Sequence, residues 1–359
     1  MEILTPEHIG PLSKLIPRSR PALVLAPMQD VTDLAFMRVI ARRGAPDWFV
    51  TEYFRVHPFS KPEKHILRSI DENETGKPIF AQMIGNDAAE LIRTARELCH
   101  HPIAGIDLNL GCPAPIVCRK DAGGGLLRDP QRVDRLLGEL RENIPASFTV
   151  KTRVGHQSPE EFVGLLDIFR RHGIDGLTIH GRTVAERYQT PVHPDCVKLA
   201  VETMPCPVIA NGNIVDPETA AGYHQATAAA GLMIGRGAIR NPWLFRQCNE
   251  RFSGKMIPQA THRDLLEYIV ELSGEIAREA PRFEALGHVQ RMKKTLAYIS
   301  HGLDGNFEYE IRRVRTPGEF EETCARYLDH DTPLPARPPA DSKLFCGFSE
   351  LLAKPVAQA

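Results

Sequence analysis

Eight short β-rich segments recur along the first two thirds of the chain, mostly with helical sequence between them, and this rhythm limits the folds open to it. They are Leu23–Ala26, Trp48–Thr51, Ile79–Met83, Gly105–Asn109, Phe148–Thr152, Gly176–His180, Pro207–Ala210 and Gly231–Ile234. The intervening stretches carry helix signals. Leu91, Ile92, Ala95 and Leu98 fall at helical spacing within Asp87–Cys99, with Asn86 or Asp87 as the cap. Pro130–Asn143 follows Asp129, a good N-cap, with proline at the first helical position. Ser158-Pro159-Glu160-Glu161 opens a helix that stops at Gly173, and Asp216-Pro217-Glu218 opens another. Eight βα units predict an α/β fold, a (β/α)8 TIM barrel. A doubly wound sheet would have fewer strands and a GxGxxG turn after the first, which is absent there.

Beyond Asn241-Pro242 the β pattern stops. His262–Glu279 and Glu284–Ser300 read as amphipathic helices and Pro317–Tyr327 as a third, which predicts a C-terminal helical domain. The expected division is an N-terminal extension over 1–20, a barrel over 21–245, a helical domain over 246–330 and a tail over 331–359. Within that tail Asp331–Asp341 is rich in proline and is expected to be extended.

Hydrophobic residues at 42% and charged residues at 25% fit a soluble enzyme. No apolar stretch approaches the ~20 residues that cross a bilayer, so no membrane partner is expected. The start, Met1-Glu2-Ile3-Leu4-Thr5-Pro6, lacks the basic and apolar regions of a signal peptide, and a cytoplasmic location is expected. None of the eight cysteines forms a CxxC pair, so reduced thiols and no metal site are expected. A net charge of -1 does not announce nucleic acid but leaves room for a local basic face. A monomer is the default expectation.

The ends of the predicted strands carry the chemistry. They present Pro27-Met28, Glu52, Gln82, Asn109 with Cys112, Lys151, His180, Asn211-Gly212-Asn213 and Gly235-Arg236-Gly237. Any one could be a loop cap or a surface charge. A ring of them is what the C-terminal mouth of a barrel provides. Glycine-rich turns after the last two strands suit a phosphate, since the backbone N–H groups can approach it and Arg236 adds charge. Lys151 and His180 suit the negatively charged edge of a reduced flavin, Gln82 a ring edge, and Pro27-Met28 a ring face. Together these predict an FMN site, the alternative being a barrel that binds some other phosphorylated ligand. In Gly105-Ile106-Asp107-Leu108-Asn109-Leu110-Gly111-Cys112-Pro113 a strand ends in a tight turn bearing a thiol. A cysteine thiol has a reference pKa of about 8.5, so at neutral pH it can act as a proton donor. The alternative for Cys112 is a small buried packing residue.

These residues, in this order, resemble the tRNA-dihydrouridine synthase family. The likeness runs from Leu23 to Phe245 through LAPMQDVTD, VTEYFRV, AQMIG, GIDLNLGCPAP, GGGLLRDP, VKTRVG, TIHGRT, VIANGNI and MIGRGAIRNPWLF, and continues at HVQRMKKTLAYI. VTEYFRV and the helical motif look most like the bacterial C-type branch, which modifies uridine 16 of the D-loop. The resemblance implies an FMN-binding TIM barrel followed by a helical tRNA-binding domain, with NADPH as reductant. It puts Cys112 at the catalytic cysteine. It puts Pro27, Met28, Gln82, Lys151, His180, Asn211, Gly212, Asn213, Gly235 and Arg236 at FMN-contacting positions, and Asn109 and Arg182 where the uracil or the ring is touched. The loop after the cysteine departs from the usual pattern at Asp121, where an altered loop closure is expected.

The implied reaction is reduction of the C5–C6 double bond of a tRNA uridine, with hydride delivered to C6 and a proton from Cys112 to C5. Arg291, Lys293 and Lys294 on one predicted helix, and Arg312, Arg313 and Arg315 beyond it, are candidate phosphate contacts. Two other readings stand beside this one. A flavin reductase of the dihydroorotate dehydrogenase type would use the same barrel but needs no basic helical domain. A tRNA-binding protein without catalysis would not need Cys112, Lys151 and His180 together.

Overall fold

The computed structural model describes residues 12–188, 190–279, 285–340, 342 and 344. Nine strands form the sheet: β1 Ala22–Leu25, β2 Trp48–Val50, β3 Phe54–Arg55, β4 Ile79–Ile84, β5 Gly105–Asn109, β6 Phe148–Arg153, β7 Gly176–His180, β8 Val208–Asn211 and β9 Gly231–Ile234. All pairings are parallel, and β2 pairs with both β1 and β4 while β1 pairs with β9, so eight strands close into a barrel. The ninth, β3, continues from β2 and pairs with Met83 and Ile84, extending the rim. Each strand of the barrel is buried along almost its whole length, as parallel strands covered by helices must be.

Local signals act where the sequence placed them. Ser158 and Glu161 form a reciprocal capping box, Asp129 accepts from Arg132 N, and Gly173 takes φ +56° at the helix end. Helices that the sequence pattern did not single out, Leu34–Gly44, Lys64–Asp71, Pro194–Thr203 and Leu244–Phe252, complete the outer layer. Leu12 caps the bottom of the barrel. It packs with Val24, Trp48, Phe80 and Ile209, and a Cβ on Gly176 would lie 2.3 Å from its Cδ2, so the extension fills a gap left by that glycine.

The helical domain appears as expected, with His262–Glu279, Ala285–Ile299 and Pro317–Leu328, plus Gly305–Ile311. Its seat on the barrel is polar as well as apolar. Arg42 bridges Glu271 and Glu275, Arg38 pairs with Glu279, and Arg68 pairs with Glu279 as well. Arg240 donates to the Ile299 carbonyl at 2.8 Å and satisfies the end of a domain helix from the barrel side. The extended tail pairs Pro333 with Thr261 and ties Arg337 to the buried Asp216 at 2.6 Å. Among the described residues no helix is long and apolar enough to cross a membrane.

Candidate active site

The C-terminal ends of β4, β5, β6 and β8 bring Gln82, Asp107, Asn109, Lys151 and Asn211 into the barrel mouth. Gln82, Asp107 and Asn109, together with Thr149, form one directed chain of hydrogen bonds. Thr149 Oγ1 donates to Asp107 Oδ1 at 2.6 Å, and Gln82 Nε2 donates to Asp107 Oδ2 at 2.7 Å. Asn109 Nδ2 donates to Gln82 Oε1 at 2.8 Å. Asn109 Oδ1 then accepts from Gly111 N at 3.0 Å and Cys112 N at 2.9 Å. A carboxylate accepts only, so Asp107 fixes which way both amides point and thereby anchors the turn that carries Cys112. Burial raises the pKa of Asp107, opposed by the Thr149 and Gln82 hydrogen bonds and by nearby Lys151.

The triple glycine beyond Cys112 folds back onto it. Gly124 N donates to the Cys112 carbonyl at 3.1 Å. A Cβ on Gly124 would lie 2.7 Å from Val184 Cγ2, and one on Gly125 2.7 Å from the Cys118 carbonyl oxygen. Asp121 takes φ +50° in this loop and faces Arg128 at 3.5 Å. Aspartate tolerates that left-handed conformation better than most residues.

On the opposite wall Lys151 Nζ reaches Asn211 Oδ1 at 3.4 Å, and Asn211 Nδ2 donates to the Met233 carbonyl at 2.8 Å. Burial pulls the Lys151 ammonium down to about 8, helped by the charge of Arg153. His180 is buried, and burial together with Arg153, Lys151, Arg182 and Arg236 holds it well below its ordinary pKa, so its ring is neutral. Its Nδ1 has no hydrogen-bond partner among the described residues. Arg182 is fully buried and donates to Asn213 Oδ1 at 3.1 Å. Gly212, at φ +138°, and Asn213, at φ +51°, turn the chain after β8 through conformations that favour glycine and asparagine. Gly235 lies beside Met28, whose Sδ would be 3.5 Å from a Cβ built there. Pro27 and Met28 are part-exposed at the end of β1.

The mouth therefore holds a surplus of positive charge over Asp107 and an orphaned imidazole nitrogen. Both features fit an anionic ring with polar edges and a phosphate, which is FMN. Lys151, His180, Asn211, Gln82 and Arg236 would hold it. Because a protonated Lys151 favours an anionic ligand, FMN affinity is expected to fall as pH rises through about 8. Flavin titration across pH 7–9 checks this, and Lys151→Met should bind weakly without that step.

Several contributors escaped the sequence reading. Asp107 looked like part of an apolar strand. Tyr188, on the loop after β7, lies with its ring 5.1 Å from Arg153 Cζ, 4.5 Å from Arg236 Cζ and edge-on to His180 at 5.7 Å. Tyr53 follows β2 and faces the Cys112 thiol, with its pKa raised by burial and then by that neighbour. Beside it the Glu52 carboxyl is pushed up to about 7 by burial and accepts from Gln29 Nε2 at 2.8 Å. For Tyr53 the signal available was an aromatic side chain within the motif VTEYFRV, whereas Tyr188 lies eight residues beyond the end of β7 and outside any quoted motif.

The proposed phosphate contacts are placed unequally. Arg291 pairs with Asp33, the N-cap of helix Leu34–Gly44, and so joins the domain to the barrel. Lys293 Nζ donates to the Val314 carbonyl at 3.0 Å, while Lys294 is exposed. Arg312 pairs with Glu308, and Arg313 stacks over Tyr309 with Cζ 3.5 Å from the ring centre. Among the described residues no group of three or more His, Cys, Asp or Glu side chains could hold a metal ion.

Comparison with known proteins agrees with this geometry. The family model described as Dihydrouridine synthase (Dus) matches residues 24–331. The chain is 30% identical over 319 residues to a tRNA-dihydrouridine(16) synthase of Neisseria meningitidis, covering 85% of this chain and 93% of the relative. It is 31% identical to a protein of the same name from Pseudomonas putida, covering 85% and 94%. A probable tRNA-dihydrouridine synthase 2 of Bacillus subtilis is 32% identical, with 73% and 81% covered. Among solved structures, histamine dehydrogenase from a Rhizobium species shares the fold, with a TM-score of 0.50 at 14% identity over 71% of this chain and 50% of that one. The chain thus belongs to the dihydrouridine synthase family and is a flavin-dependent oxidoreductase.

Proposed function

We propose that this chain, a tRNA-dihydrouridine synthase, acts on uridine 16 of the D-loop with Cys112 as the general acid and NADPH as the reductant. Two relatives at 30% and 31% identity carry position 16 in their names, which supports the choice of uridine. The observation that carries the role of Cys112 is the Asp107–Gln82–Asn109 chain ending on the backbone N–H of Cys112 itself. Such a chain holds one thiol still at the edge of a cationic mouth.

Reducing the C5–C6 bond needs a hydride at C6 and a proton at C5. FMN, when bound, supplies the hydride. The carbon C6 is electrophilic through its conjugation with the C4 carbonyl, and charge then develops on the pyrimidine oxygens. Arg182 or Asn109 stabilises that charge. The Cys112 thiol gives its proton to C5. The uridine must first leave its stack, at a cost of a few kcal/mol that contacts elsewhere on the tRNA offset. Lys294 is the exposed cation of its helix for such a contact. Lys294→Glu is expected to weaken tRNA binding and flatten its salt dependence, measured by affinity across a salt series. Affinity unchanged by that reversal would remove this helix from the interface.

Anaerobic reoxidation of the NADPH-reduced protein tests the reading. Unmodified tRNA should reoxidise it and orotate should not. Rapid reoxidation by orotate, with none by tRNA, would instead favour a small-molecule reductase.

A further inference from the structure

Phe59 is 99% exposed and sits at φ +65°. It occupies the third position of a turn over His57–Ser60, closed by Ser60 N donating to the His57 carbonyl at 3.0 Å, with Pro58 at the second position. Proline second with a positive φ third is the type II pattern, and glycine is the residue that pattern favours. A bulky residue there is an outlier. An aromatic side chain that gains nothing from burial and holds a position better suited to glycine has no folding role.

The turn is also held rigidly. Arg93 donates to the Ser60 carbonyl at 2.8 Å, His57 N donates to Ser60 Oγ at 3.0 Å, and Arg55 N donates to Glu63 Oε1 at 3.2 Å. Val56 N donates to the Ile84 carbonyl at 2.8 Å, so the loop rises directly from the rim where β4 ends, beside Tyr53 and Cys112. The exposed basic side chains of the same segment are Arg55, His57, Lys61, Lys64 and His65. The acidic residue between them, Glu63, accepts from the Arg55 backbone N–H and lies 4.0 Å from the Arg55 guanidinium. An aromatic face among cations is the chemistry that binds unpaired nucleobases and their phosphates.

We infer that Phe59 is a preformed stacking platform on the barrel rim, which takes the tRNA base left unstacked beside the extruded uridine while Arg55, Lys61 and Lys64 meet the adjoining phosphates. Extruding one base exposes the face of its neighbour, and a fixed ring can cover that face without being ordered on binding. This inference rests on the tRNA reading above.

The test compares the wild-type protein with Phe59→Gly and Phe59→Trp on unmodified tRNA, measuring dihydrouridine formation, tRNA affinity and thermal unfolding. Base stacking on an aromatic is worth about 5- to 140-fold in binding. Phe59→Gly should raise Kd and KM for tRNA by that factor, leave kcat nearly unchanged, and unfold at the same or a higher temperature because glycine suits the turn. Phe59→Trp should restore affinity. A Phe59→Gly protein with wild-type Kd and KM, or a Phe59→Trp protein as weak as it, would overturn the inference. Absence of dihydrouridine from the wild-type protein would instead count against the tRNA reading itself.

Discussion

Replacing Cys112 with alanine is expected to lower dihydrouridine formation on unmodified tRNA by about 10²- to 10⁴-fold, the range that a positioned general acid contributes. The loss should fall on kcat, with tRNA affinity and FMN binding close to wild type. The backbone explains that separation. What fixes the turn is the Cys112 N–H on Asn109 Oδ1 and the Cys112 carbonyl on Gly124 N, and alanine keeps both. The thiol is only half-buried, so its removal leaves no large cavity. Steady-state kinetics with product quantified by mass checks the result. Full turnover by Cys112→Ala would mean that C5 takes its proton from elsewhere, and Tyr53 would then be the neighbouring acid to examine.

Arg153→Ala is expected to reduce both stability and activity. Arg153 is among the largest fully buried side chains, and it binds three backbone carbonyls. Its Nε donates to Gly111 at 2.9 Å, and its terminal nitrogen donates to Thr183 at 2.8 Å and Arg187 at 2.7 Å. It therefore clasps the Cys112 turn to the loop that bears Tyr188. Each buried carbonyl left without a donor costs about 1–3 kcal/mol, so the variant should lose about 3 kcal/mol or more. Lysine should not rescue it, because one ammonium cannot span the three acceptors that the planar fork reaches. Chemical denaturation measures the first effect and kcat on tRNA the second. A variant with wild-type stability would show that the clasp is redundant.

The barrel was legible because nearly every strand is a buried apolar segment that stops at a polar residue, and because Asp129, Ser158 and Gly173 punctuate helices by local chemistry. Boundaries moved by a residue or two, as at β8, which runs Val208–Asn211 rather than Pro207–Ala210. Helix Leu34–Gly44 follows the motif LAPMQDVTD and was hidden by it, although Asp33 is a regular N-cap. At the site, Gln82, Lys151, His180 and Asn211 were visible as strand ends. Asp107 was not, since its meaning comes from Gln82 and Thr149 on the neighbouring strands β4 and β6. The basic helix shows the same limit. Arg291 looked equivalent to Lys294 in sequence, yet its partner Asp33 lies 258 residues away. Contacts at that range are set by the docking of the domain, which no local pattern records.

The residues that join domain and barrel also bear on function. Arg291 meets Asp33 directly after the Met28–Thr32 loop, whose Gln29 holds Glu52 at the barrel mouth. The helical domain is thus tied to the same loop that carries Met28, a candidate flavin contact.

The measurement that tests the central claim most directly is the position-resolved dihydrouridine content of unmodified tRNA after incubation with the purified protein, FMN and NADPH. The account predicts dihydrouridine at uridine 16 alone, lost with Cys112→Ala. Product at another position would contradict the assignment of the uridine. No product at all, from protein that has bound FMN and is reduced by NADPH, would contradict the proposed reaction.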